Sequence, residues 1–403
     1  METNKNWKKS FFSIYIGQAF SLVSSSIVQF SIIWWITLET GSALALTLAS
    51  VVGLLPQAVI GLFAGVWIDR LNRKIIMIVA DSMIALSSLI LAILFLSGIE
   101  SIGFVYLVLF IRALGDTFHK PALQAFIPEL VPPSELTKAG GLGQMISSAS
   151  SMLGPMLGAL LMTLTSLPYV MLVDVLGALI AVLLLALVKS PRHFISTKHK
   201  LTFFQDMNQG IKAIKSNKAL LRLAIPMLIS TIIFVPLGTL LPLLVKEHFN
   251  GTAWHNGMVQ TLFSSGMLIA AMVIGLTGGF KKQFFMISFS TGLLGICALL
   301  GGLLPSNLFW VFCIIVFVMG TTGMGFNIPF TAYIQRSVPP ENLGKVISLV
   351  TSVMSFAAPV GMFIAGPISQ VIGVNNWMIG AGIMMCFVGI LSYFLTKEFD
   401  LTY

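Results

Sequence analysis

Charged side chains are scarce in this sequence. They make up 9% of its 403 residues, and 57% of the residues are hydrophobic, whereas soluble domains carry about 25% charge. A chain with so few charges cannot cover a water-facing surface. The composition excludes an ordinary soluble protein and predicts an all-α polytopic membrane protein that lies in a lipid bilayer.

Patterns of reactive and metal-binding residues are also lacking. The three cysteines, Cys297, Cys313 and Cys386, lie in apolar runs and are typical of small buried hydrophobic residues rather than of disulfides or metal ligands. The sequence contains no phosphate-binding Gly-Lys loop and no His/Cys cluster at metal-ligand spacing. We therefore expect a protein that is not an enzyme, with no cofactor and no bound metal.

Long apolar runs dominate the sequence instead. A membrane-spanning helix needs about 20 mostly apolar residues, and breaks at charge, Gly/Pro and Asn clusters predict twelve such spans. Their expected ranges are 11–38, 44–68, 75–97, 102–121, 139–165, 169–189, 219–244, 256–279, 283–303, 307–332, 343–369 and 376–396.

The positive charge is unevenly distributed between the predicted loops. If the N-terminus is cytoplasmic, the cytoplasmic segments hold every Lys and Arg except Lys246, in an outer loop, and Arg112, within a span. Basic residues favour the cytoplasmic side, so both termini are expected to be cytoplasmic. The net charge of +9 then reflects topology, and we expect no nucleic-acid partner.

The two halves of the sequence resemble each other. Residues 131–136 (VPPSEL) recur as residues 338–343 (VPPENL), 207 positions later. This duplication predicts an N-terminal six-helix bundle (1–189), a cytoplasmic linker (190–218) and a C-terminal six-helix bundle (219–403). Parallel repeats of this kind place a substrate path at their interface near the membrane midplane.

Residues 65–74 concentrate charge between two apolar segments, which places them at a membrane face. With the twelve spans, this loop resembles the first signature of the major facilitator superfamily, Gly-x-x-x-Asp-Arg-x-Gly-Arg-Lys. Asn72 stands where the signature has Gly, and asparagine tolerates a left-handed backbone almost as well. The resemblance implies the major facilitator fold, with twelve transmembrane helices in two six-helix bundles.

Further runs are similar to the drug:proton antiporters of that superfamily. Residues 150–159 look like their antiporter signature, and residues 40–43 (TGSA) and 174–178 (DVLGA) resemble the macrolide-efflux type. This resemblance implies proton-driven export of a bulky lipophilic compound, macrolides first.

Both signature regions supply candidate gating residues. We expect Asp69 to pair with Arg73 and to latch the inner gate, and glycine and proline in span 5 to permit helix movement. The same glycine and proline residues are also common as static kinks. The gating candidates are Gly65, Asp69, Arg70, Arg73, Lys74, Gly154, Pro155 and Gly158.

Four charged residues lie within predicted spans, all in the first half: Asp81, Arg112, Asp116 and Asp174. Intramembrane charge is costly, so a functional role is the default interpretation. Arg112 and Asp116 share a helix face that His119 continues, and Asp81 is expected at a comparable depth. Asp81, Arg112 and Asp116 are therefore candidates for proton coupling, with a permanent ion pair between spans 3 and 4 as the alternative. For Asp174, helix capping or packing near the outer face is expected.

Polar residues in two spans are candidates for substrate binding. Gln18, Ser25 and Gln29 follow helical spacing along span 1, and Asn327 lies near the end of span 10. Such residues turn towards a wet cavity or form hydrogen bonds between helices.

The sequence thus predicts a monomeric, proton-coupled exporter of lipophilic drugs that works by alternating access in the bacterial plasma membrane. Export of a siderophore or another endogenous metabolite is an alternative in the same class. A membrane sensor or a lipid-handling membrane enzyme is an alternative of another class, but a sensor usually needs an output domain, and no terminus or loop is long enough for one.

Overall fold

A computed structural model describes residues 7–188, 211–277 and 279–401. Within these ranges the fold is entirely helical, which confirms the predicted class. The helices of the N-terminal half are α1 (Trp7–Thr40), α2 (Ala43–Val59), α3 (Gly61–Arg70), α4 (Arg73–Leu96), α5 (Ile102–Leu130), α6 (Leu136–Leu164) and α7 (Leu167–Leu187). Those of the C-terminal half are α8 (Lys218–Glu247), α9 (Ala253–Thr277), α10 (Gln283–Leu303), α11 (Phe309–Ser337), α12 (Pro340–Ile372) and α13 (Val374–Thr396).

The contacts divide the chain into two units. The first unit comprises Met1–Glu39 with Val52–Lys198, and the second comprises Thr40–Val51 with His199–Tyr403. Helix α2 therefore begins in the second unit and ends in the first. In the second unit, Gln370 of α12 accepts hydrogen bonds from Ser42 Oγ (2.9 Å) and from the amide of Leu44 in the first turn of α2 (3.3 Å).

Eleven of the helices are long and apolar enough to cross a membrane, and they match eleven of the twelve predicted spans. The exception is the second span, which the structure divides into α2 and α3. Pro56 lies inside α2 and cannot donate a backbone hydrogen bond, and the helix ends shortly after it at Val59. Elsewhere a proline does not end the helix: α5 continues through Pro121 to Leu130, beyond the predicted boundary at residue 121.

Most of the charged segment 65–74 is helical, because α3 ends at Arg70 and α4 begins at Arg73. Asn72 has an extended backbone (φ −68°, ψ 113°), and its side chain accepts a hydrogen bond from the Lys74 amide at 3.0 Å. Asn72 therefore does not use the left-handed conformation that asparagine tolerates, and instead caps the N-terminus of α4.

Each unit has a buried apolar cluster built from equivalent positions of the repeat. The first cluster joins residues of α1 and of α3 to α7, and the second joins residues of α8, α10, α11 and α12. Equivalent buried pairs, each 207 residues apart, are Met77 and Phe284, Ile127 and Ile334, and Val131 and Val338. The duplication seen in the sequence thus corresponds to equivalent packing.

Close helix contacts at equivalent positions depend on glycine. A Cβ on Gly154 of α6 would overlap Ser26 of α1, and a Cβ on Gly361 of α12 would overlap the backbone of Ile232 on α8. A Cβ on Gly158, one turn further along α6, would lie 3.0 Å from the Ile27 carbonyl oxygen. These glycines allow α6 to pack directly on α1, and α12 on α8.

The close contact at Gly154 leads to a prediction about thermal stability. Gly154→Ala forces α6 away from α1, and overpacking of this kind costs about 1–3 kcal/mol. The apparent Tm of the purified protein in detergent should fall. Gly140→Ala is the matched control on the same helix, because no atom lies within 4 Å of its added Cβ. Equal Tm values for the two variants would contradict the close contact.

Candidate functional site

A buried ion pair joins α5 to α7. The Arg112 guanidinium contacts the Asp174 carboxylate, and their side chains are 8% and 1% exposed. Asp174 also accepts hydrogen bonds from Ser25 and Ser88, both at 2.8 Å. Arg112 donates in addition to Ser88 Oγ at 2.9 Å and to the Ser25 carbonyl oxygen at 3.1 Å. The pair and its hydroxyl partners therefore connect α1, α4, α5 and α7.

This arrangement corrects two expectations. Arg112 pairs with Asp174 and not with Asp81. Asp174 does not cap a helix, because it lies two turns into α7, which begins at Leu167, and only the first turn of a helix has free amide groups. Asp174 is instead the buried counter-ion of Arg112.

Asp81 belongs to a second buried group. Its Oδ2 lies 3.4 Å from Nε2 of His119 on α5, and its Oδ1 accepts from Ser21 Oγ at 3.4 Å. The Gln18 amide nitrogen lies 3.3 Å from the same His119 nitrogen. Asp81, His119 and Gln18 are all buried, so three helices, α1, α4 and α5, bring their polar groups together inside the first unit.

Asp116 lies apart from both groups. Its side chain is 51% exposed and pairs with Lys120 at 2.9 Å, one turn along α5. The expected common face of Arg112 and Asp116 is therefore wrong. A spacing of seven residues is close to two full helical turns, whereas a spacing of four overshoots one turn. His119 consequently shares the buried face with Arg112, and Asp116 points outwards.

The predicted substrate-binding residues fall into two classes. Gln18 contacts His119 and Ser25 donates a hydrogen bond to Asp174, so both side chains already have partners in the buried groups. Gln29 of α1 and Asn327 of α11 are exposed on their respective units, and Asn327 Oδ1 lies 3.5 Å from Thr331 Oγ1. The exposed pair keeps free surface that a substrate could contact.

Arg73 secures one end of the first unit. Its Nη1 donates to the carbonyl oxygen of Ala125 at 2.8 Å and to Glu129 Oε1 at 2.6 Å, both on α5. The side chains of Asp69 and Arg70, and the surroundings of Gly65, lie outside the described part of the structure. The expected pairing of Asp69 with Arg73 stays a prediction.

Lys74 secures the neighbouring helix end. Its Nζ donates to the carbonyl oxygens of Ala186 and Val188, at 2.8 and 2.6 Å. The last carbonyl groups of a helix lack partners within the helix, and a cation there is favourable. Arg73 and Lys74 thus tie the start of α4 to the ends of α5 and α7.

The sequence analysis did not predict a functional role for His119. It placed the residue on the face of Arg112 and Asp116 but assigned it no role. The available signal was a histidine seven residues after Arg112 within a predicted span. Only the structure shows that the ring is buried and faces Asp81.

Comparison with known sequences identifies the family. The sequence profile described as Major Facilitator Superfamily matches residues 14–278 and 237–401. The chain belongs to the Major Facilitator Superfamily. The resemblance noted in the sequence is confirmed, and the chain is a multi-pass membrane transporter rather than an enzyme.

Two relatives in this superfamily are proteins named macrolide efflux protein A. The protein from Streptococcus pyogenes is 37% identical over 392 residues, which cover 97% of each chain. The protein from Enterococcus faecalis is 37% identical over 328 residues, which cover 80% of this chain and all of the relative. Relatives at this identity support an efflux transporter.

Solved structures share the fold at much lower identity. A bacterial homologue of the human lysosomal transporter Spinster, in an inward-facing and unoccupied conformation, has a TM-score of 0.75 and 12% identity, and the match covers 98% of each chain. This similarity supports the major facilitator fold alone.

The buried ion pair makes a second stability prediction. Asp174→Asn keeps the shape of the side chain but leaves Arg112 as a buried charge without a counter-ion, which costs about 3–5 kcal/mol. The Tm of the purified protein should fall strongly. Asp116→Asn is the control, because its exposed pair with Lys120 is worth only about 0.3–0.5 kcal/mol. The ion-pair assignment is wrong if both variants lose the same stability.

Proposed function

We propose that this protein exports lipophilic drugs, macrolides first, across the bacterial plasma membrane in exchange for protons. The observation that carries the proposal is an asymmetry within the duplicated fold. The positions equivalent to Asp81 and Asp174 in the second half are Ser288 and Ala381, each 207 residues later. Intramembrane charge costs about 2.5–3.5 kcal/mol per residue on the insertion scale, so its retention in one copy favours a functional role.

The substrate class rests on the relatives. Proteins named for macrolide efflux are 37% identical over nearly the whole chain. Gln29 and Asn327 are exposed on the first and second unit, and we assign them to contact with the drug. Gln18 and Ser25 then act indirectly, through the buried groups that they hold.

Proton coupling is assigned to the first half. Asp81 is buried beside an ionisable ring, and Arg112 holds the counter-charge of Asp174. Asp116 is exposed to water on the same helix as His119, and we assign it to proton transfer between water and the buried groups. A change in protonation would accompany the turn from inward-open to outward-open.

The topology and assembly follow the same proposal. Both termini lie in the cytoplasm, since the predicted cytoplasmic segments carry nearly all basic residues. The bundles 1–189 and 219–403 move as units about the linker 190–218 in a monomer. Alternating access of this kind is the usual behaviour of parallel repeats in transporters.

The charged loop is assigned to gating. Arg73 and Lys74 already tie three helix ends together, and Gly65, Asp69 and Arg70 would extend this network to the inner gate. The Gly154, Pro155 and Gly158 segment would let α6 shift along α1. In this arrangement the loop holds the outward-open state and does not contact the drug.

Accumulation of radiolabelled erythromycin in bacteria that lack other macrolide pumps tests the function. Expression of the protein should lower accumulation several-fold, and a protonophore should restore it. Glu398→Gln, which alters an exposed pair with Arg222, is the control and should behave as wild type. Unchanged accumulation would refute the drug substrate, and a decrease that ignores the protonophore would refute proton coupling.

A loop variant tests the gating assignment. Asp69→Asn should leave erythromycin binding to the purified protein unchanged but slow its transport into proteoliposomes, because the charge acts on the gate only. Equilibrium binding and initial uptake rates measure the two effects. Lost binding together with a normal transport cycle would contradict the assignment.

A further inference from the structure

The two buried carboxylates of the first unit, Asp174 and Asp81, differ in how many of their oxygen atoms receive a hydrogen bond. Asp174 receives donors from Arg112, Ser25 and Ser88, and a guanidinium keeps its proton at any physiological pH. Asp81 is equally buried, yet its Oδ2 has no hydrogen-bond donor. Only the Asp81 group therefore has room for a further proton.

The polar atoms around His119 allow two hydrogen-bonded arrangements. Without a proton on Nε2, this nitrogen accepts from the Gln18 amide nitrogen at 3.3 Å, and Asp81 Oδ2 lacks a donor. With a proton on Nε2, the ring donates to Asp81 Oδ2, which lies 3.4 Å away. A half-turn of the Gln18 amide then brings its Oε1, also unpartnered, towards the N–H. The two arrangements differ by one proton.

We propose that the His119–Asp81 pair is the proton-binding site of this transporter and holds one exchangeable proton between His119 Nε2 and Asp81 Oδ2. The inference rests on the proposed proton coupling and assigns it to a histidine–carboxylate pair that titrates as a unit. On release, the proton passes to water and the Nε2 lone pair accepts from Gln18. Asp81 keeps its negative charge with Ser21 as its donor.

The burial of the pair provides the coupling. Loss of the proton leaves Asp81 as a buried carboxylate without a counter-charge, which is strongly unfavourable. Release therefore has to coincide with another event, namely drug binding or a rearrangement of α1, α4 and α5.

Few other charges act on the ring. The electrostatic partners of His119 are Asp81 on α4, and Asp116 and Lys120 on its own helix. Helix α1 presents uncharged Gln18 and Ser21 to the pair. On the other elements packed against α5, Lys138 of α6 pairs with Glu135, and the side chains of Asp69 and Arg70 on α3 lie outside the described part.

Proton release on drug binding tests the assignment. Erythromycin is added to the full-length protein in weakly buffered detergent solution, and a pH-indicator dye counts the protons released per drug bound. The wild type should release about one proton. Release should vanish at alkaline pH, where the pair is already empty. His119→Gln and Asp81→Asn should bind the drug and release none, because the first removes the ring that carries the proton and the second removes the carboxylate that holds the proton on the ring.

A variant with a single histidine provides the matched control. The sequence has five histidines, and replacement of all except His119 with glutamine should leave proton release as in the wild type. In the same protein, the ¹⁵N NMR signal of the imidazole should change from the protonated to the neutral form when erythromycin binds. This measurement needs no substitution at His119 and holds even if His119→Gln does not fold.

The possible outcomes distinguish a wrong assignment of the proton site from a wrong proposal of proton-coupled export. If His119→Gln releases a proton as the wild type does, or if the ¹⁵N signal does not change with drug, the pair is not the proton site, although proton-coupled export stands. If the wild type exports erythromycin without any proton release or proton flux, the proposed coupling fails and the pair fails with it.

Discussion

The buried ion pair between Arg112 and Asp174 is a central constraint on the first half of the molecule. Neither charge is tolerable in a bilayer alone, and each is buried almost completely. Their hydrogen bonds with hydroxyl groups of α1 and α4 fix four helices relative to one another. Within this frame Asp81 and His119 are held close together, so the second buried pair depends on the first.

The duplicated architecture shows which features serve the fold and which serve the function. Gly154 and Gly361 occupy equivalent positions, and each allows a close contact between equivalent helices. The apolar clusters of the two units also use equivalent residues. The buried charges have no such counterparts, since serine and alanine occupy the positions equivalent to Asp81 and Asp174. Packing is common to both copies, whereas among the described residues the buried Asp, Arg and His side chains lie in the first copy only.

Helical periodicity explains where prediction of the site succeeded and where it did not. It placed Asp81 and Arg112 within spans, and both are buried. It could not select their partners, because a helix face meets several neighbours and sequence spacing does not say which. In the structure Arg112 pairs with Asp174 on α7, and Asp81 lies beside His119 on α5. Asp116 shows that a shared helix face does not imply shared burial. Its position is rotated by about 40° around the helix axis from that of Arg112, and this rotation is enough to expose it.

The sequence by itself determined the membrane class, eleven of the twelve predicted spans, the duplication and the superfamily. These properties follow from composition, run length and local motifs, which need no knowledge of neighbouring helices. The tertiary structure alone decided that the second span is broken near Pro56, that Asn72 caps α4, and which acid meets which base. Such features depend on contacts between residues far apart in the chain, such as the 62 positions between Arg112 and Asp174.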